Sequence, residues 1–321
     1  MMKVLGISYG RKMSNTEILV KEALMGAKDA GAEIEFVRMQ DLTIKPCTGC
    51  NACVISLFEK AGSGDCVITG DDFVFIDEKI LEADGLIIGA PIYEKMAPGH
   101  LKNMADRQGP GHDLAFRTIA KKIRAEHGIT HGKGPDERSF KQRAASLIAV
   151  GGSEWDNLAL PMMHLSTVSM QIEVVDKMLI NWIALPGMVA LHDEKLERAY
   201  QSGKHVVESL KGNVEEAKYI GDKGVCPLCN SKLFEIRNAE NGQMAVCAVC
   251  GVKGDLEVSS NEVSFIVQPH EAALAHVKLS GKFNHARELK EVSLVPHPNV
   301  AALPEKLEKY KNFIEASRPS K

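Results

Sequence analysis

The eight cysteines of this 321-residue chain lie in two local groups, and this arrangement constrains the fold more than any other feature of the sequence. The first group is Cys47, Cys50, Cys53 and Cys66, with the spacing C-x2-C-x2-C-x12-C, and the second is Cys226, Cys229, Cys247 and Cys250. A disulfide framework does not need such close spacing, whereas four clustered thiolates suit a metal ion or cluster. The sequence therefore predicts two metal centres in a reducing compartment, which we expect to be the cytoplasm.

The second group consists of two C-x-x-C pairs with seventeen residues between them, which is typical of a tetrahedral four-thiolate site. A ribbon this small needs a bound metal to fold, so residues 222–260 are predicted to form a separate metal-binding module. Zinc is the first choice for this site. A single iron held as in rubredoxin is the alternative, because it uses the same ligands and the same geometry.

Most of the remaining chain alternates short apolar runs with amphipathic segments, which is the pattern of a parallel α/β domain. The predicted strands are Lys3–Ser8, Ala32–Met39, Gly85–Pro91, Ala144–Val150 and Gln171–Val175. The predicted helices begin after Ser14, after Asp72, near Pro98, and at Leu114, Leu158 and Glu194. Asp71 and Asp72 are predicted to cap the second of these helices. Residues 1–215 are therefore expected to form a flavodoxin-like, doubly wound five-stranded parallel sheet, with an excursion at 109–143 and a mostly helical tail at 261–321.

The segment between the first predicted strand and the first predicted helix is rich in groups that bind anions. Ser8, Ser14 and Thr16 supply hydroxyls and Arg11 supplies a guanidinium, next to a helix N-terminus with free N–H groups. This combination suits a phosphate. Because the segment lacks both G-x-G-x-x-G and the Walker pattern, neither a dinucleotide nor a nucleoside triphosphate is favoured. A polar connection capped by Ser14 is an equally good interpretation of these residues alone.

Two further loops leave the carboxyl ends of predicted strands, where open α/β sheets bind their ligands. Residues Pro91 to Gly99 follow the third strand. Gly151 and Gly152 follow the fourth strand, where the missing side chains let a ring or a sugar approach the backbone. These loops are candidates for the walls of a ligand site.

Taken together, several separated motifs resemble the iron–sulfur flavoproteins of the NADPH-dependent FMN reductase superfamily. They are the Ser8/Arg11/Ser14–Thr16 loop, the P-C-x-x-C-x-x-C segment, Cys66-Val-Ile followed by Asp71-Asp72, Pro91-Ile-Tyr93, Leu101-Lys102 and Asp106-Arg107. The resemblance covers the region between residues 3 and 210 and does not extend to the second cysteine group.

The resemblance implies a flavodoxin-like fold with non-covalently bound FMN. The implied phosphate loop is Ser8, Arg11, Ser14, Asn15 and Thr16, and the residues implied around the isoalloxazine ring are Pro91, Ile92, Tyr93, Glu94, Lys95, Gly151 and Gly152. The resemblance also implies that Cys47, Cys50, Cys53 and Cys66 bind a 4Fe-4S cluster near the flavin.

One departure from the family pattern concerns the fourth cysteine. The family places it a few residues after the third, whereas twelve residues separate Cys53 from Cys66 here. The cost of closing a loop rises slowly with its length, so Cys66 is still the expected fourth ligand. A second structural zinc site or idle thiols are the alternatives, and the C-x2-C-x2-C spacing favours the cluster.

Tyr93 and His112 are the predicted catalytic residues. Tyr93 is expected to contact the flavin, by stacking rather than by acid catalysis. His112 and His164 are candidate proton donors, since reductive chemistry often needs one. With eleven histidines in the chain, a surface or packing role is the alternative for each of them.

These inferences predict an FMN- and 4Fe-4S-dependent oxidoreductase that carries electrons from NAD(P)H or reduced ferredoxin to a small-molecule acceptor. The resemblance implies a homodimer or homotetramer. The alternative is a non-enzymatic electron carrier that shuttles between a ferredoxin-like donor and a partner enzyme.

Charge and hydropathy argue against two other kinds of partner. A net charge of −3 and the balanced charge of the second cysteine module lack the basic surface that nucleic-acid binding requires. No segment contains the roughly 18 uninterrupted apolar residues of a membrane span, so membrane association is not expected.

Overall fold

The computed structural model describes residues 1–237, 245–294, 298–311, 314, 316 and 317. These residues divide into two units, Met1–Phe283 and Asn284–Lys321. The expected boundaries near 215 and 260 do not coincide with this division, because the second cysteine group and the parallel sheet belong to the same unit.

The first unit is built on a five-stranded parallel sheet with the strand order β2-β1-β3-β4-β5. The strands are β1 (Lys3–Ser8), β2 (Glu33–Arg38), β3 (Gly85–Pro91), β4 (Ala144–Val150) and β5 (Glu173–Ile180). Strands β3 and β4 are buried almost throughout, as their continuous apolar runs require. This order is the flavodoxin-like arrangement, so the predicted fold class is confirmed.

The last strand is longer than its sequence indicates. The expected strand Gln171–Val175 ends before Asp176 and Lys177, yet β5 continues to Ile180. Both polar side chains are buried with partners: Asp176 forms an ion pair with Arg198, and Lys177 donates to the carbonyl of Cys229. The apolar pattern did not predict the full length of β5, because residues distant in sequence compensate the charges of Asp176 and Lys177.

Helices cover both faces of the sheet and bury two separate apolar clusters. The helices of this region are α1 (Asn15–Asp29), α2 (Ala52–Lys60), α3 (Phe73–Glu82), α4 (Gly99–Gln108), α5 (Leu114–Glu126), α6 (Ala159–Val168) and α7 (Asp193–Ser209). Helices α1 and α7 pack on one face, and α3, α4 and α6 pack on the other. Gly26 and Gly203 let α1 and α7 cross closely, because a Cβ at either position would overlap backbone of the other helix.

The second cysteine group is part of a four-stranded antiparallel sheet with the order β6-β7-β8-β9. Its strands are β6 (Phe234–Ile236), β7 (Ala245–Cys247), β8 (Lys253–Ser259) and β9 (Glu262–Ile266). We call residues Val225–Ile266 the ribbon. Its last strand lies beyond residue 260, where the module was expected to end.

The described part of the chain after the ribbon is mainly helical. It contains α8 (Pro269–Ala272), α9 (Leu279–Leu294) and α10 (Leu303–Lys311). Within the tail expected at 261–321, residues 295–297, 312, 313, 315 and 318–321 lie outside the described residues. Among the residues that the structure describes, no helix is long and apolar enough to cross a membrane.

Candidate functional site

The loop between β1 and α1, which we call loop 1 (Tyr9–Ser14), closes tightly over the N-terminus of α1. The Ser14 hydroxyl oxygen accepts from the N–H of Glu17 at 3.2 Å, and the Ser8 hydroxyl oxygen accepts from the N–H of Gly10 at 3.2 Å. A Cβ at Gly10 would overlap Ser14 Oγ. The capping role expected for Ser14 is therefore present.

An anion site remains open beside this cap. The N–H groups of Asn15 and Thr16 precede the first hydrogen bonds of α1 and have no acceptor inside the helix. The positive end of the helix dipole lies at the same place, and Arg11 in loop 1 is exposed. Loop 1 thus offers the donors and positive charge that a phosphate needs.

The Asn15 side chain has a different task from the one implied by the resemblance. Its amide nitrogen donates to the carbonyls of Ile183 and Leu185 at 3.0 and 2.9 Å, and its amide oxygen accepts from Val189 N at 3.1 Å. All three bonds tie the N-terminus of α1 to the segment after β5. The side chain is thereby used within the protein, and only the Asn15 backbone N–H is available to a phosphate.

The loop after β3, which we call loop 2 (Ile92–Pro98), carries a tight turn. Tyr93 and Met96 exchange two backbone hydrogen bonds, and Glu94 and Lys95 between them have φ values of 49° and 69°. Two consecutive positive φ angles define a type I′ turn. The turn leaves the Tyr93 side chain 56% exposed, so its ring is free to contact a ligand.

The loop after β4, which we call loop 3 (residues 151–158), contacts loop 2. Lys95 Nζ lies 5.1 Å from the centroid of the Trp155 ring. The N–H of Gly151 donates to the carbonyl of Ile180, and a Cβ at Gly151 would lie 3.1 Å from Ile92 Cδ1. The three loops therefore share one end of the sheet, at the carboxyl edges of β1, β3 and β4.

A buried acceptor beside loop 3 lacks a donor. Within the described part of the chain, Asn181 Oδ1 is buried and has no hydrogen-bond partner, while Asn181 Nδ2 donates to Asp156. A Cβ at Gly151 would lie 3.4 Å from this oxygen. The flavin ring carries an N–H donor and FMN carries a phosphate, so the unpartnered oxygen and the open N-terminus of α1 together fit FMN.

The first cysteine segment is held by one arginine of α4. Arg107 is buried and donates to the carbonyls of Lys45 and Ile68, to the Asp71 carboxylate at 2.6 Å and to Cys66 Sγ at 3.1 Å. Burial alone would lower the pKa of Arg107, but these bonds to Asp71 and Cys66 raise it. Arg107 thereby joins the two ends of the segment that contains the cysteines.

Asp71 and Asp72 were expected to cap α3, and the structure corrects this in part. The Asp72 side chain makes no cap hydrogen bond and instead accepts from the N–H of Thr43 at 2.7 Å. Asp71 accepts from Phe73 N at 3.4 Å but also from Lys45 N at 2.9 Å, besides its ion pair with Arg107. Both carboxylates therefore mainly tie α3 to the cysteine segment.

The four thiols of this segment differ in exposure. Cys47 and Cys50 are exposed, and Cys53 and Cys66 are partly buried. Burial raises the pKa of Cys53, and the Cys66 and Cys50 thiols act in the same direction. In the described residues they do not form a compact site for one metal ion. Four cysteine thiols are the donor set of a 4Fe-4S cluster, and this assignment stays a prediction.

The twelve residues between Cys53 and Cys66 are not an open loop. They contain most of α2, whose Phe58 ring meets the Phe116 ring of α5 at a centroid distance of 4.8 Å. Lys133 Nζ forms an ion pair with Asp65 at 2.7 Å, and Arg124 donates to the carbonyl of Ala61. The excursion at 109–143 thus packs over the cysteine segment, which keeps Cys66 in place.

The two candidate histidines are both buried in the fold. His112 is buried, with Nδ1 3.1 Å from the Gln108 carbonyl oxygen and Nε2 2.9 Å from Asp77 Oδ1. Because both ring nitrogens have partners, we assign His112 a structural role instead of the expected catalytic one. His164 is buried on α6, where burial holds its pKa well below the usual value, and it lines a cavity of about 30 Å³ beside Cys229.

The ribbon brings its four thiols together as the spacing predicts. Cys226, Cys229, Cys247 and Cys250 are all buried, and their sulfur atoms lie within 4.8 Å of one another. The Cys226–Cys250 and Cys229–Cys247 sulfur distances are 3.7 and 3.5 Å. A tetrahedral ion with metal–sulfur bonds of about 2.3 Å separates its ligands by about 3.8 Å. The site therefore fits one tetrahedral ion.

Sequence reasoning missed the residue that fastens the ribbon to the sheet. Lys177 of β5 is only 8% exposed, and its Nζ donates to the carbonyl of Cys229 at 2.7 Å. Burial lowers its pKa, while the nearby cysteine thiolates act in the opposite direction. A lysine inside an otherwise apolar strand was the available signal, because a buried ammonium needs a partner.

Comparison with known proteins identifies relatives for the whole chain. The sequence profile of the NADPH-dependent FMN reductases matches residues 2–194. The chain is 31% identical over 301 residues to the flavone synthase cfoJ of Aspergillus candidus, an alignment that covers 90% of this chain and 89% of that protein. A solved structure of a flavone reductase is similar with a TM-score of 0.82 and 32% identity, over 99% of this chain and 100% of that chain.

A second group of relatives, the iron-sulfur flavoproteins, matches a smaller part of this chain. An iron-sulfur flavoprotein of Methanocaldococcus jannaschii is 41% identical over 110 residues, which is 34% of this chain and 53% of that protein. The relatives that extend over nearly the whole chain thus carry flavone-related names, and those named for an iron–sulfur centre match about a third of it.

Proposed function

The chain belongs to the NADPH-dependent FMN reductase family, and from this we propose that it is an FMN- and 4Fe-4S-dependent oxidoreductase acting on a small-molecule acceptor. The proposed electron donor is NAD(P)H or reduced ferredoxin. The observation that carries the proposal is the position of loops 1, 2 and 3 at the carboxyl ends of β1, β3 and β4, together with the N-terminus of α1 and the unpartnered Asn181 Oδ1. Bound FMN supplies hydride exchange in two-electron steps and release of single electrons.

We propose that the acceptor is a flavone-type molecule, which is a planar oxygen heterocycle with a carbon–carbon double bond conjugated to a carbonyl. The names of the two relatives that extend over nearly the whole chain support this class. In the net reaction the acceptor gains two electrons and two protons, and NAD(P)H with one proton becomes NAD(P)+. The reverse direction would form the same double bond and would need an external oxidant.

The chain's own residues bind and orient the reactants. Loop 1 holds the phosphate through the Asn15 and Thr16 N–H groups, the Ser8, Ser14 and Thr16 hydroxyls and Arg11. Tyr93 on its type I′ turn presents an exposed ring for stacking, and Lys95 with Trp155 forms an adjacent wall. Pro91, Ile92, Glu94, Gly151 and Gly152 provide backbone close to the ring. Asn181 Oδ1 accepts a hydrogen bond from a ring N–H.

The two cysteine groups are given different roles. We assign Cys47, Cys50, Cys53 and Cys66 to a 4Fe-4S cluster, which handles one electron at a time, and Cys226, Cys229, Cys247 and Cys250 to a structural zinc, with iron as the alternative metal. Arg107 stabilises the negative charge at Cys66 through its 3.1 Å hydrogen bond. We also propose a homodimer or homotetramer and a reducing compartment such as the cytoplasm.

Turnover tests this function. The protein is purified anaerobically and mixed with NADH, NADPH or reduced ferredoxin, with flavone or a quinone as acceptor, and products are identified by mass. We expect a product that is heavier than flavone by two hydrogens. Reduction of the protein by ferredoxin with no turnover of any acceptor would instead favour the electron-carrier alternative.

The phosphate site has its own matched test. Arg11 and Lys12 are neighbouring exposed cations in loop 1, and only Arg11 is assigned to the phosphate. Because a hydrogen bond to a charged group contributes about 1.5–3 kcal/mol, Arg11→Ala is expected to weaken FMN binding at least about tenfold. Lys12→Ala is the control. Equal effects of the two substitutions would show that only general charge attracts the phosphate.

A further inference from the structure

A cavity of about 300 Å³ lies between the sheet and the ribbon. Leu160 of α6 and Leu179 of β5 line it from the sheet, and Leu233 and Val249 line it from the ribbon. Tyr219, from the segment that connects α7 to the ribbon, completes the wall. Neither the sheet nor the ribbon encloses this space alone.

The ribbon wall is fixed in place through its metal-binding residues. Lys177 of β5 donates to the carbonyls of Cys229 and Asn230, at 2.7 and 3.4 Å. The connecting segment follows the edge of β5, because the Ile220 N–H donates to the Val175 carbonyl at 3.0 Å. Since Cys229 is one of the four clustered cysteines, the shape of the wall depends on a folded metal site.

The cavity adjoins loop 3 of the flavin site. Asp156, which belongs to loop 3, lines the cavity and accepts a hydrogen bond from Asn181. Asn181 in turn lies next to Gly151 and carries the buried oxygen that lacks a donor. A continuous set of contacts therefore joins the position assigned to the flavin ring to the cavity wall.

The lining indicates the chemical class of the ligand. Five aliphatic residues and the Tyr219 ring among the thirteen lining residues suit a flat aromatic molecule, and the other seven are polar or charged. The volume is near the lower end for small-molecule sites, about 300 Å³. Asp156, Asp222 and Lys232 stand at the same cavity and offer hydrogen bonds to hydroxyl or carbonyl groups. We propose, resting on the function above, that this cavity binds the flavone-type acceptor and that the ribbon's metal maintains its affinity.

Equilibrium binding of flavone to the FMN-loaded protein, without an electron donor, tests the proposal. Leu179→Trp fills the cavity from the sheet and Leu233→Trp fills it from the ribbon. Each is expected to weaken flavone binding at least tenfold. The control is Val258→Trp on β8, where the side chain is 75% exposed and does not line the cavity; it is expected to stay within twofold of the unmodified protein.

The outcomes separate this proposal from the proposed function. If the unmodified protein reduces flavone but both cavity variants bind it normally, the cavity assignment is overturned and the function stands. If the unmodified protein neither binds nor reduces flavone, the acceptor class is wrong and the cavity proposal fails with it. FMN and metal contents report folding of each variant. If both variants lose them, a crystal structure of the unmodified protein with flavone decides, since density outside the cavity would refute the proposal.

Discussion

Arg107 is the single side chain on which the first cysteine segment depends most. Its side chain is fully buried against Asp71, and removing one partner of a buried ion pair leaves the other uncompensated. Arg107→Met is therefore expected to lower the free energy of unfolding by about 3 kcal/mol. It should also reduce the iron content, because Cys66 loses its hydrogen bond. Denaturant titration and iron analysis measure the two effects.

Lys102→Met on the same helix is the control for Arg107. Lys102 forms an exposed ion pair with Asp106, and such pairs contribute about 0–1 kcal/mol. The control is expected to keep both stability and iron. Equal losses of stability and iron in the two variants would mean that Arg107 acts only through its positive charge and not through its specific contacts.

Glu173 gives stability a specific dependence on pH. Burial raises the pKa of Glu173 to about 7, and Glu215 adds to this shift. An unfolded glutamate loses its proton near 4.5, so the native state is progressively disfavoured as pH rises from about 4.5 to 7. Glu173→Gln should remove this loss and raise the free energy of unfolding at pH 8 by about 3 kcal/mol. Denaturant titrations at pH 4 and pH 8 measure it.

The sign of the Glu173 effect separates it from a general packing effect. The gain should be present at pH 8 and small at pH 4, where both states hold the proton. Glu33→Gln, at the exposed first position of β2, is the control and should change neither value. A gain of the same size at both pH values would contradict the assignment.

Some single residues could be assigned from local sequence and others could not. The Ser14 cap was predictable because its partner, Glu17, lies three residues away. The roles of three other residues were not predictable, because their partners lie 35 or more positions away in sequence or belong to other elements. These residues are Asn15, His112 and Arg107. A side chain's chemistry limits its possible partners, but only the tertiary fold selects among them.

At the level of elements, periodicity located the strands that are buried on both faces. Strands β1, β3 and β4 have the predicted bounds, because their apolar runs are uninterrupted. Strand β5 continues past its prediction because Asp176 and Lys177 are compensated by Arg198 and by the ribbon. Helix α2 occupies most of the segment before Cys66 that was expected to be a loop, since its packing partner α5 lies over fifty residues later.

The two cysteine groups are expected to respond independently to substitution. Cys229→Ser removes a ligand of the ribbon site, so zinc content should fall and the ribbon should lose its structure, as small zinc modules do without metal. FMN should stay bound, because loops 1 to 3 do not include the ribbon. Metal analysis and flavin absorbance measure both effects, and flavone affinity should decrease with the zinc.

Cys66→Ser is the reciprocal variant. It should lose iron while keeping zinc, because Cys66 is held by Arg107 in a different part of the first unit. Loss of both metals in either variant would contradict the division of the cysteines into a redox group and a structural group.

At the scale of the whole molecule, the parallel sheet and the ribbon belong to the same unit. The sequence predicted both of them, but as separate domains. The cysteine spacing can be recognised locally, whereas the partner of Lys177 lies far away in sequence and could not be predicted. The cavity between them is a consequence of this joint packing. No local pattern indicates it, since its lining residues come from five separated parts of the chain.

The central claim is that this chain is a flavin enzyme with an iron–sulfur centre. The most direct measurement is anaerobic purification followed by a visible spectrum and by flavin, iron, inorganic sulfide and zinc analysis of the same sample. The account predicts bound FMN, equal amounts of iron and sulfide, and zinc, with bleaching of the flavin absorbance when NAD(P)H or reduced ferredoxin is added. A protein that binds no FMN would contradict the account, and FMN without inorganic sulfide would remove the cluster from it.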